Sequence, residues 1–238
     1  MNLSGNLNLE KIVQVDFPTA QYYKIDHVKT QIVWHHSAGW DNAQGMFNGW
    51  IENAERVATC CGITDDGTIY QIFSSKYWAY HVNILSKGNK QVKENPIYAP
   101  YFKRAVDVEN RTIGVEVLNW GGLKRVDGKY HTWASAHINP LYKKDITVDE
   151  KKVQYYPEGF RGYYYYEKYT DREIESLWKL TRYWMGRYDI PLNPHQDIFE
   201  LNQSAFQGVP GIYTHCSFRI DKQDMHPQPE LLKMFVSL

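Results

Sequence analysis

The chain has 238 residues, and 43% of them are hydrophobic, so it can bury a full-sized core. Lys plus Arg and Asp plus Glu each total 27, which gives a net charge of zero. A neutral protein has no overall field that attracts nucleic acid or an anionic membrane. We therefore expect one domain over residues 1–238 that binds no nucleic acid.

The sequence shows no recognisable export or membrane signal. Met1–Asn6 has neither the basic nor the apolar region of a signal peptide, and no later run approaches the roughly 20 apolar residues of a membrane span. The three cysteines, Cys60, Cys61 and Cys216, cannot form a disulfide framework, which indicates a reducing compartment or secretion without disulfides. We expect a cytoplasmic protein without membrane insertion.

The first half of the chain contains predicted strands and one helix. Residues 30–36 form an apolar run typical of a buried strand. Apolar residues then recur every three or four positions over 42–56, which predicts an amphipathic helix. A hairpin follows, with strands at 57–64 and 68–73 and the turn sequence Asp-Asp-Gly between them.

The second half contains two further strands and the clearest helix. Residues 112–119 and 211–216 are apolar and β-branched, as buried strands are. Between them, 171–188 repeats apolar residues with helical spacing, and Thr170 and Glu173 form a capping-box sequence at its start.

A polar, tyrosine-rich stretch without a clear period occupies residues 123–168. Loops of this length inside compact domains are usually functional. We predict an elaborated insertion at about 121–168 that lies beside the cleft and is not a second domain. The whole pattern predicts an α/β fold, a single domain with a central mixed β-sheet flanked by helices.

Two histidines at strand ends indicate a divalent metal site. His35 ends the first strand and His215 the last, and the tail Asp221–Asp224 supplies carboxylates. Two histidines and one carboxylate leave the fourth position of a tetrahedral ion open for water, which is the catalytic pattern. Because adjacent strand residues point to opposite faces, His35 and His36 cannot both reach the same ion.

Glu116 lies inside an apolar strand, where an unpaired carboxylate is costly to bury. Burial near an activated water would raise its pKa toward that of a general base. Alternatively, the side chain leaves the sheet at an exposed face. The cysteines allow a thiol nucleophile, but we expect buried, inert thiols.

Six short segments resemble, in their order, the type 2 N-acetylmuramoyl-L-alanine amidases. These zinc enzymes share a fold with peptidoglycan recognition proteins and with many phage endolysins. The resemblance covers about residues 28–230. The segments are IVWHHSAG at 32–39, DGTIYQ at 66–71, WAYH at 78–81, TIGVE at 112–116, GIYTH at 211–215 and KQD at 222–224.

The resemblance implies hydrolysis of the amide between the lactyl group of N-acetylmuramic acid and L-Ala. The substrate is peptidoglycan or a muropeptide, and we expect a monomer. The implied roles are carried by eight residues: His35, His215 and Asp224 hold zinc, Glu116 is the base acting on the zinc-bound water, Lys222 stabilises the oxyanion, and His81, His36 and Trp78 line the substrate cleft.

Two departures from the family pattern leave alternatives open. Thr59 stands where many members have a tyrosine, so the catalytic burden falls on Glu116. Asp224 is followed by Met-His-Pro instead of Pro-Gly, which makes His226 a rival third ligand. His195 also imitates a family element, but only His215 is followed by Lys-x-Asp at a suitable distance.

Other functions remain open at this stage. The fold could serve as a non-catalytic peptidoglycan-binding module, or the chain could be a cysteine peptidase acting on wall peptides. For the setting we favour a phage endolysin, which stays in the host cytoplasm until lysis, over a cytoplasmic muropeptide-recycling amidase.

Overall fold

A computed structural model describes residues 12–53, 55–192 and 196–236. A six-stranded mixed sheet forms its centre, in the order β1-β4-β3-β5-β2-β11. The strands are β1 (Ile12–Gln14), β2 (Gln31–His36), β3 (Cys61–Ile63), β4 (Ile69–Gln71), β5 (Thr112–Val117) and β11 (Gly211–Thr214). The predicted α/β class with a central mixed sheet is confirmed.

The middle of this sheet is parallel, since β2 pairs in parallel with both β5 and β11. Every residue of β2 is buried. A parallel strand covered on both faces needs a continuous apolar sequence, which explains the run that predicted it. The register places His35 directly beside Glu116 on the neighbouring strand.

Helices pack against the sheet, and the longest is α5 (Asp171–Tyr188), whose bounds and capping box are as predicted. Its Trp178 meets Trp34 of β2 edge to face, and the Trp34 indole donates to Thr181 at 3.0 Å. The other helices are α1 (Ala43–Glu52), α2 (Lys90–Glu94), α3 (Ala99–Phe102), α4 (Ala105–Arg111), α6 (Gln203–Gln207) and α7 (Pro229–Val236).

Several predicted elements are longer than the observed ones. Helix α1 ends at Glu52 rather than 56, and Arg56 has a positive φ that no helix accommodates. The hairpin strands β3 and β4 have three residues each. Strand β11 ends at Thr214, because a 3-10 turn over His215–Ser217 takes over and the Thr214 amide donates to the Ser217 hydroxyl.

The tyrosine-rich insertion is a second, five-stranded antiparallel sheet and not an aperiodic loop. Its order is β8-β7-β6-β10-β9. Four consecutive tyrosines, Tyr163 to Tyr166, make up most of β10, so both faces carry the same residue type and the alternation that marks a strand is hidden in the sequence. The strands are β6 (Gly122–Val126), β7 (Lys129–His131), β8 (Thr147–Val148), β9 (Val153–Phe160) and β10 (Tyr163–Glu167).

Residues Gly121 and Gly122 join the second sheet to the first. The Gly122 amide donates to the side chain of Gln223 at 3.1 Å. Gly121 has a φ of +70°, and a Cβ there would overlap the ring of His36. The insertion is therefore fastened against the end of β2.

Among the described residues, no helix is both long and apolar enough to cross a bilayer.

The contact between Gly121 and His36 gives a stability prediction with a built-in control. Gly121→Ala and Gly128→Ala both force a residue with a Cβ into the left-handed region, which costs about 1–2 kcal/mol of the free energy of unfolding. Only the Cβ at position 121 would also meet the His36 ring. Nothing lies within 4 Å of a Cβ at Gly128. We expect Gly121→Ala to lose about 1–3 kcal/mol more of the free energy of unfolding than Gly128→Ala. Urea unfolding followed by circular dichroism measures the difference, and equal losses would contradict the contact.

Candidate active site

Three buried side chains converge at the ends of β2 and β11. The Nδ1 atoms of His35 and His215 lie 3.0 Å apart, and Asp224 Oδ2 lies 3.2 Å and 2.9 Å from them. This is the only group of three with metal-ligand geometry among the described residues. Parallel neighbouring strands end at the same edge of the sheet, so β2 and the turn after β11 deliver both imidazoles to one place.

The outer hydrogen bond of His215 fixes where its proton lies. Its Nε2 is 2.8 Å from the carbonyl oxygen of Val82. A carbonyl only accepts, so Nε2 carries the hydrogen and Nδ1 presents a lone pair to the cluster. Burial lowers the pKa of His215 to about 4, with the nearby charge of Asp224 opposing that shift, so the ring is neutral near pH 7.

His35 is fixed in the same way through a longer chain of hydrogen bonds. The Thr112 hydroxyl donates to backbone carbonyls of α4 at 2.9 Å, so it must accept from His81 Nε2 at 2.8 Å. His81 Nδ1 is then an acceptor, and it lies 3.0 Å from His35 Nε2. His35 Nε2 therefore carries the hydrogen. Burial lowers the pKa of His35, which leaves a neutral ring with a free lone pair on Nδ1.

Three acceptor atoms thus face one another with no hydrogen between them. Two imidazole lone pairs and a carboxylate oxygen at such distances repel one another, and a cation at their centre would attract all three and outweigh that repulsion. Metal-bound histidines typically donate the other ring N–H to a carbonyl or another acceptor, as both do here. The residues fit a divalent metal ion of the kind that takes nitrogen and oxygen ligands.

A cavity of about 320 Å³ opens over this cluster, a size suited to part of a small substrate. Its wall contains the three clustered side chains, both candidate catalytic residues and one tryptophan of α1. The lining residues are His35, His36, Ser37, Ala38, Trp50, Val57, Ala58, Thr59, His81, Glu116, His215, Asp221, Lys222, Gln223 and Asp224.

Glu116 lines this cavity and does not leave the sheet elsewhere. Because it pairs directly with His35 across two strands about 4.8 Å apart, both side chains lie on the same face. Burial raises the pKa of Glu116 well above its ordinary value, the charge of Asp224 adds to the rise, and Lys222 opposes it. The carboxyl group has no hydrogen-bond partner among the described residues, so its oxygens are available to a substrate or water.

Lys222 and Thr59 occupy the same cavity wall. Lys222 is partly buried, and within the described part of the chain its ammonium has no ion-pair partner. Thr59 stands at the position where many family members carry a tyrosine, and its hydroxyl donates to the carbonyl of Cys61 at 3.0 Å. Because a hydroxyl has one hydrogen, Thr59 has no further hydrogen to donate to a substrate.

One expected cleft residue lies elsewhere. Trp78 stacks on Tyr23 with ring centroids 3.9 Å apart and does not line the cavity. An antiparallel bridge also pairs the backbones of Tyr23 and Trp78. Trp50 lines the cavity instead, and its helical spacing made it indistinguishable in sequence from an ordinary core residue.

The remaining cleft histidines have distinct surroundings. His36 points away from the cluster, and its Nδ1 lies 2.8 Å from the Tyr169 hydroxyl, although the ring still forms part of the cavity wall. His81 also contributes to the wall, but both of its ring nitrogens are engaged, one with His35 and one with Thr112. Its contact with His35 is not apparent from sequence.

The rival third ligand is engaged outside the cluster. His226 Nε2 donates to the carbonyl of Glu167 at 2.9 Å, and its Nδ1 lies 2.7 Å from the Tyr156 hydroxyl. Both partners belong to the second sheet. No ring nitrogen of His226 is therefore free to join Asp224. His195 lies outside the described residues.

The cysteines are buried, as expected. Cys216 makes sulfur contacts of 3.4 Å and 3.5 Å to the backbone carbonyls of Lys222 and Asp224, and burial raises the pKa of its thiol. A buried thiol with a raised pKa is a poor nucleophile, which disfavours a cysteine peptidase.

Comparison with known families decides the class of protein. The Amidase_2 family model, described as N-acetylmuramoyl-L-alanine amidase, matches residues 26–229. The chain belongs to the N-acetylmuramoyl-L-alanine amidase family. The predicted family and enzyme class are confirmed, and this amidase is a hydrolase of a family that acts on peptidoglycan. No curated protein sequence matches it.

Solved structures were found that align over most of the amidase at low identity. The endolysin N-acetylmuramoyl-L-alanine amidase LysCS from Clostridium intestinale URNW is 14% identical, with 95% of each chain covered and a TM-score of 0.44. PlyL is 12% identical, with 94% of this chain and 96% of that chain covered and a TM-score of 0.47. A selenomethionine derivative of AmpD is 15% identical, with 94% of each chain covered and a TM-score of 0.42.

Proposed function

We propose that this amidase hydrolyses the amide between the lactyl group of N-acetylmuramic acid and the L-Ala of the stem peptide, with a zinc ion held by His35, His215 and Asp224. The convergence of two imidazole lone pairs and a carboxylate oxygen carries the proposal. Mixed nitrogen and oxygen ligation with three protein ligands is typical of catalytic zinc.

The chain orients these ligands before any ion binds. Val82 holds the ring of His215, and His81 with Thr112 holds the ring of His35. When bound, the zinc ion would act as a Lewis acid on the substrate carbonyl and would make water more acidic.

Glu116 is the general base in this proposal. It takes the proton from the attacking water and later gives it to the nitrogen of the leaving L-Ala, so that one carboxyl group serves both transfers. Its burial beside Asp224 raises its pKa toward the pH at which such exchange is efficient. Thr59 takes no part in these proton transfers, because its hydroxyl hydrogen is donated to the carbonyl of Cys61.

Lys222 is the oxyanion stabiliser in this proposal. Negative charge grows on the carbonyl oxygen as water adds, and an ammonium in the wall of the cavity interacts with that charge more strongly than with the neutral substrate. Such an interaction accelerates the reaction rather than merely tightening binding.

We further propose an endolysin setting, with intact peptidoglycan as substrate, and a recycling amidase as the alternative. Mass spectrometry of digested sacculi tests the reaction and the setting together. Free stem peptides with intact glycan strands are expected. Cleavage of soluble muropeptides but not of sacculi would favour recycling, and cleavage of any other bond would refute the proposed reaction. A non-catalytic binding module would release no product from either substrate.

Metal analysis tests the ligand set. The purified protein should contain about one zinc per chain. Asp224→Ala should lose zinc on dialysis against a mild chelator, because one of three protein ligands is missing, whereas His226→Ala should retain it. Inductively coupled plasma mass spectrometry measures both, with circular dichroism as the folding control. Retention by Asp224→Ala together with loss by His226→Ala would show that the ligand assignment is wrong.

Glu116→Gln tests the base. The variant keeps the side-chain volume but loses the proton acceptor, so zinc should remain bound while turnover falls by about 10²–10⁴-fold. A base works only when unprotonated. Wild-type kcat/KM should therefore fall as pH drops through the raised pKa of Glu116, at a higher pH than for an ordinary glutamate.

The residual activity of Glu116→Gln should lack this acid limb. Zinc content measured in each buffer separates protonation of Glu116 from loss of the metal. Near-normal turnover of the variant with zinc bound would remove Glu116 from the mechanism.

Lys222→Met tests the oxyanion role, with Lys124→Met, an exposed lysine of the second sheet, as the matched control. Loss of a transition-state interaction should raise the barrier by about 2–4 kcal/mol and lower kcat more than it raises KM. The control should behave as wild type. Steady-state kinetics on a defined muropeptide decides, and an unchanged kcat means that Lys222 is only a surface charge.

A further inference from the structure

Four aromatic side chains form a continuous row beside the cavity that opens over His35, His215 and Asp224. Trp40 meets Trp120 at a centroid distance of 5.1 Å, Trp120 meets Trp133 at 6.4 Å, and Trp133 meets Tyr142 at 5.5 Å. Trp120 is buried at the centre, whereas Trp40, Trp133 and Tyr142 are 60%, 41% and 36% exposed. We call these four residues the aromatic row.

The row is built onto the strands that carry the candidate site. Trp40 follows His35 of β2 by five residues, and Trp120 follows Glu116 of β5 by four. Chain segments of that length reach at most about 14–18 Å, so the row begins close to the reacting groups. The backbones beyond the two strands stay paired, since the Gly39 amide donates to the Asn119 carbonyl at 3.2 Å.

The connection between β7 and β8 completes the row and ties it to the cavity wall. The Trp133 indole donates to the carbonyl of Ala38 at 2.6 Å, and Ala38 itself lines the metal cavity. Ala38 has a φ of +51°, an uncommon conformation for a residue with a Cβ. Position and orientation of Trp133 are thus set relative to the cavity, which is unusual for a tryptophan exposed to solvent.

We propose that the aromatic row binds the glycan strand of the substrate, as a platform for uncharged N-acetylhexosamine rings next to the sugar that carries the scissile bond. This inference rests on the proposed function. The glycan is covalently joined to the lactyl group in the cavity, so the sugars beside it must leave across a neighbouring surface, and the row is continuous with the cavity through Ala38.

The chemistry of the row favours sugar over the stem peptide. The face of an aromatic ring is electron-rich and attracts the C–H bonds on the face of a pyranose ring. A stem peptide carries carboxylates, which cationic side chains recognise. None of the four residues of the aromatic row is cationic. Exposed aromatic patches on a soluble protein mark binding surfaces, and tryptophan dominates the energetics of such surfaces.

Direct binding of a β-1,4-linked N-acetylglucosamine hexamer tests the proposal independently of catalysis. Isothermal titration calorimetry on the zinc-loaded protein should detect the hexamer, and Trp40→Ala should weaken binding by about tenfold or more. Trp40 has no side-chain hydrogen bond among the described contacts, so its removal should leave the fold intact. Tyr183→Ala on α5, where the ring is 46% exposed on a different surface, is the matched control. Thermal unfolding verifies each variant.

A kinetic comparison uses two soluble substrates with the same stem peptide, one on a single N-acetylmuramoyl unit and one on a tetrasaccharide. Wild type should prefer the longer glycan in kcat/KM, and Trp40→Ala should reduce that preference by about tenfold. Tyr183→Ala should leave the preference unchanged. An equal loss on both substrates would assign the row to the stem peptide and overturn the proposal.

The outcomes separate this inference from the proposed function. If wild type cuts neither substrate but binds the hexamer through Trp40, the reaction is wrong and the glycan site stands. If wild type cuts both substrates, binds no hexamer and shows no preference for the longer glycan, the reaction stands and the glycan site is refuted.

Discussion

The candidate site depends on which ring nitrogen of His35 and of His215 carries the hydrogen. Val82 and His81 hold the N–H groups of His215 and His35 on the outer side of each ring, so both inner nitrogens must face Asp224 as lone pairs. Burial keeps the two rings neutral. A cluster built this way is unfavourable by itself and would become favourable around a cation, so its geometry fits a metal ion.

The two sheets position different parts of this cluster. The parallel centre of the first sheet supplies His35 and Glu116 side by side, and its rigidity fixes their separation. The second sheet holds the loop that carries Asp224, through the bond from Gly122 to Gln223, and keeps His226 occupied. The insertion thus supports the loop that lines the cavity and extends the surface beside it.

Sequence reasoning located what depends on local pattern. The strands that bear His35 and Glu116 and the capped helix α5 have strong periodic or capping signals, and these appear where expected. The second sheet did not, because tyrosine is stable on both a buried and an exposed strand face. The family resemblance places Trp78 in the cleft and helical spacing places Trp50 on an apolar face, because the sequence alone does not show which aromatic side chain faces the cavity. The surroundings of His226 depend on Tyr156 and Glu167, whose positions only the folded insertion reveals.

The tautomers of His35 and His215 decide whether the two inner ring nitrogens are lone pairs. Nitrogen-15 NMR of the chelator-treated protein at pH 7, with long-range correlations from ring carbons' protons to ring nitrogens, identifies which nitrogen of each histidine carries the hydrogen. We expect a hydrogen on Nε2 of both rings, and a shift of both Nδ1 signals when zinc is added. A hydrogen on Nδ1 of either ring, or zinc-induced shifts at Nε2, would contradict this expectation.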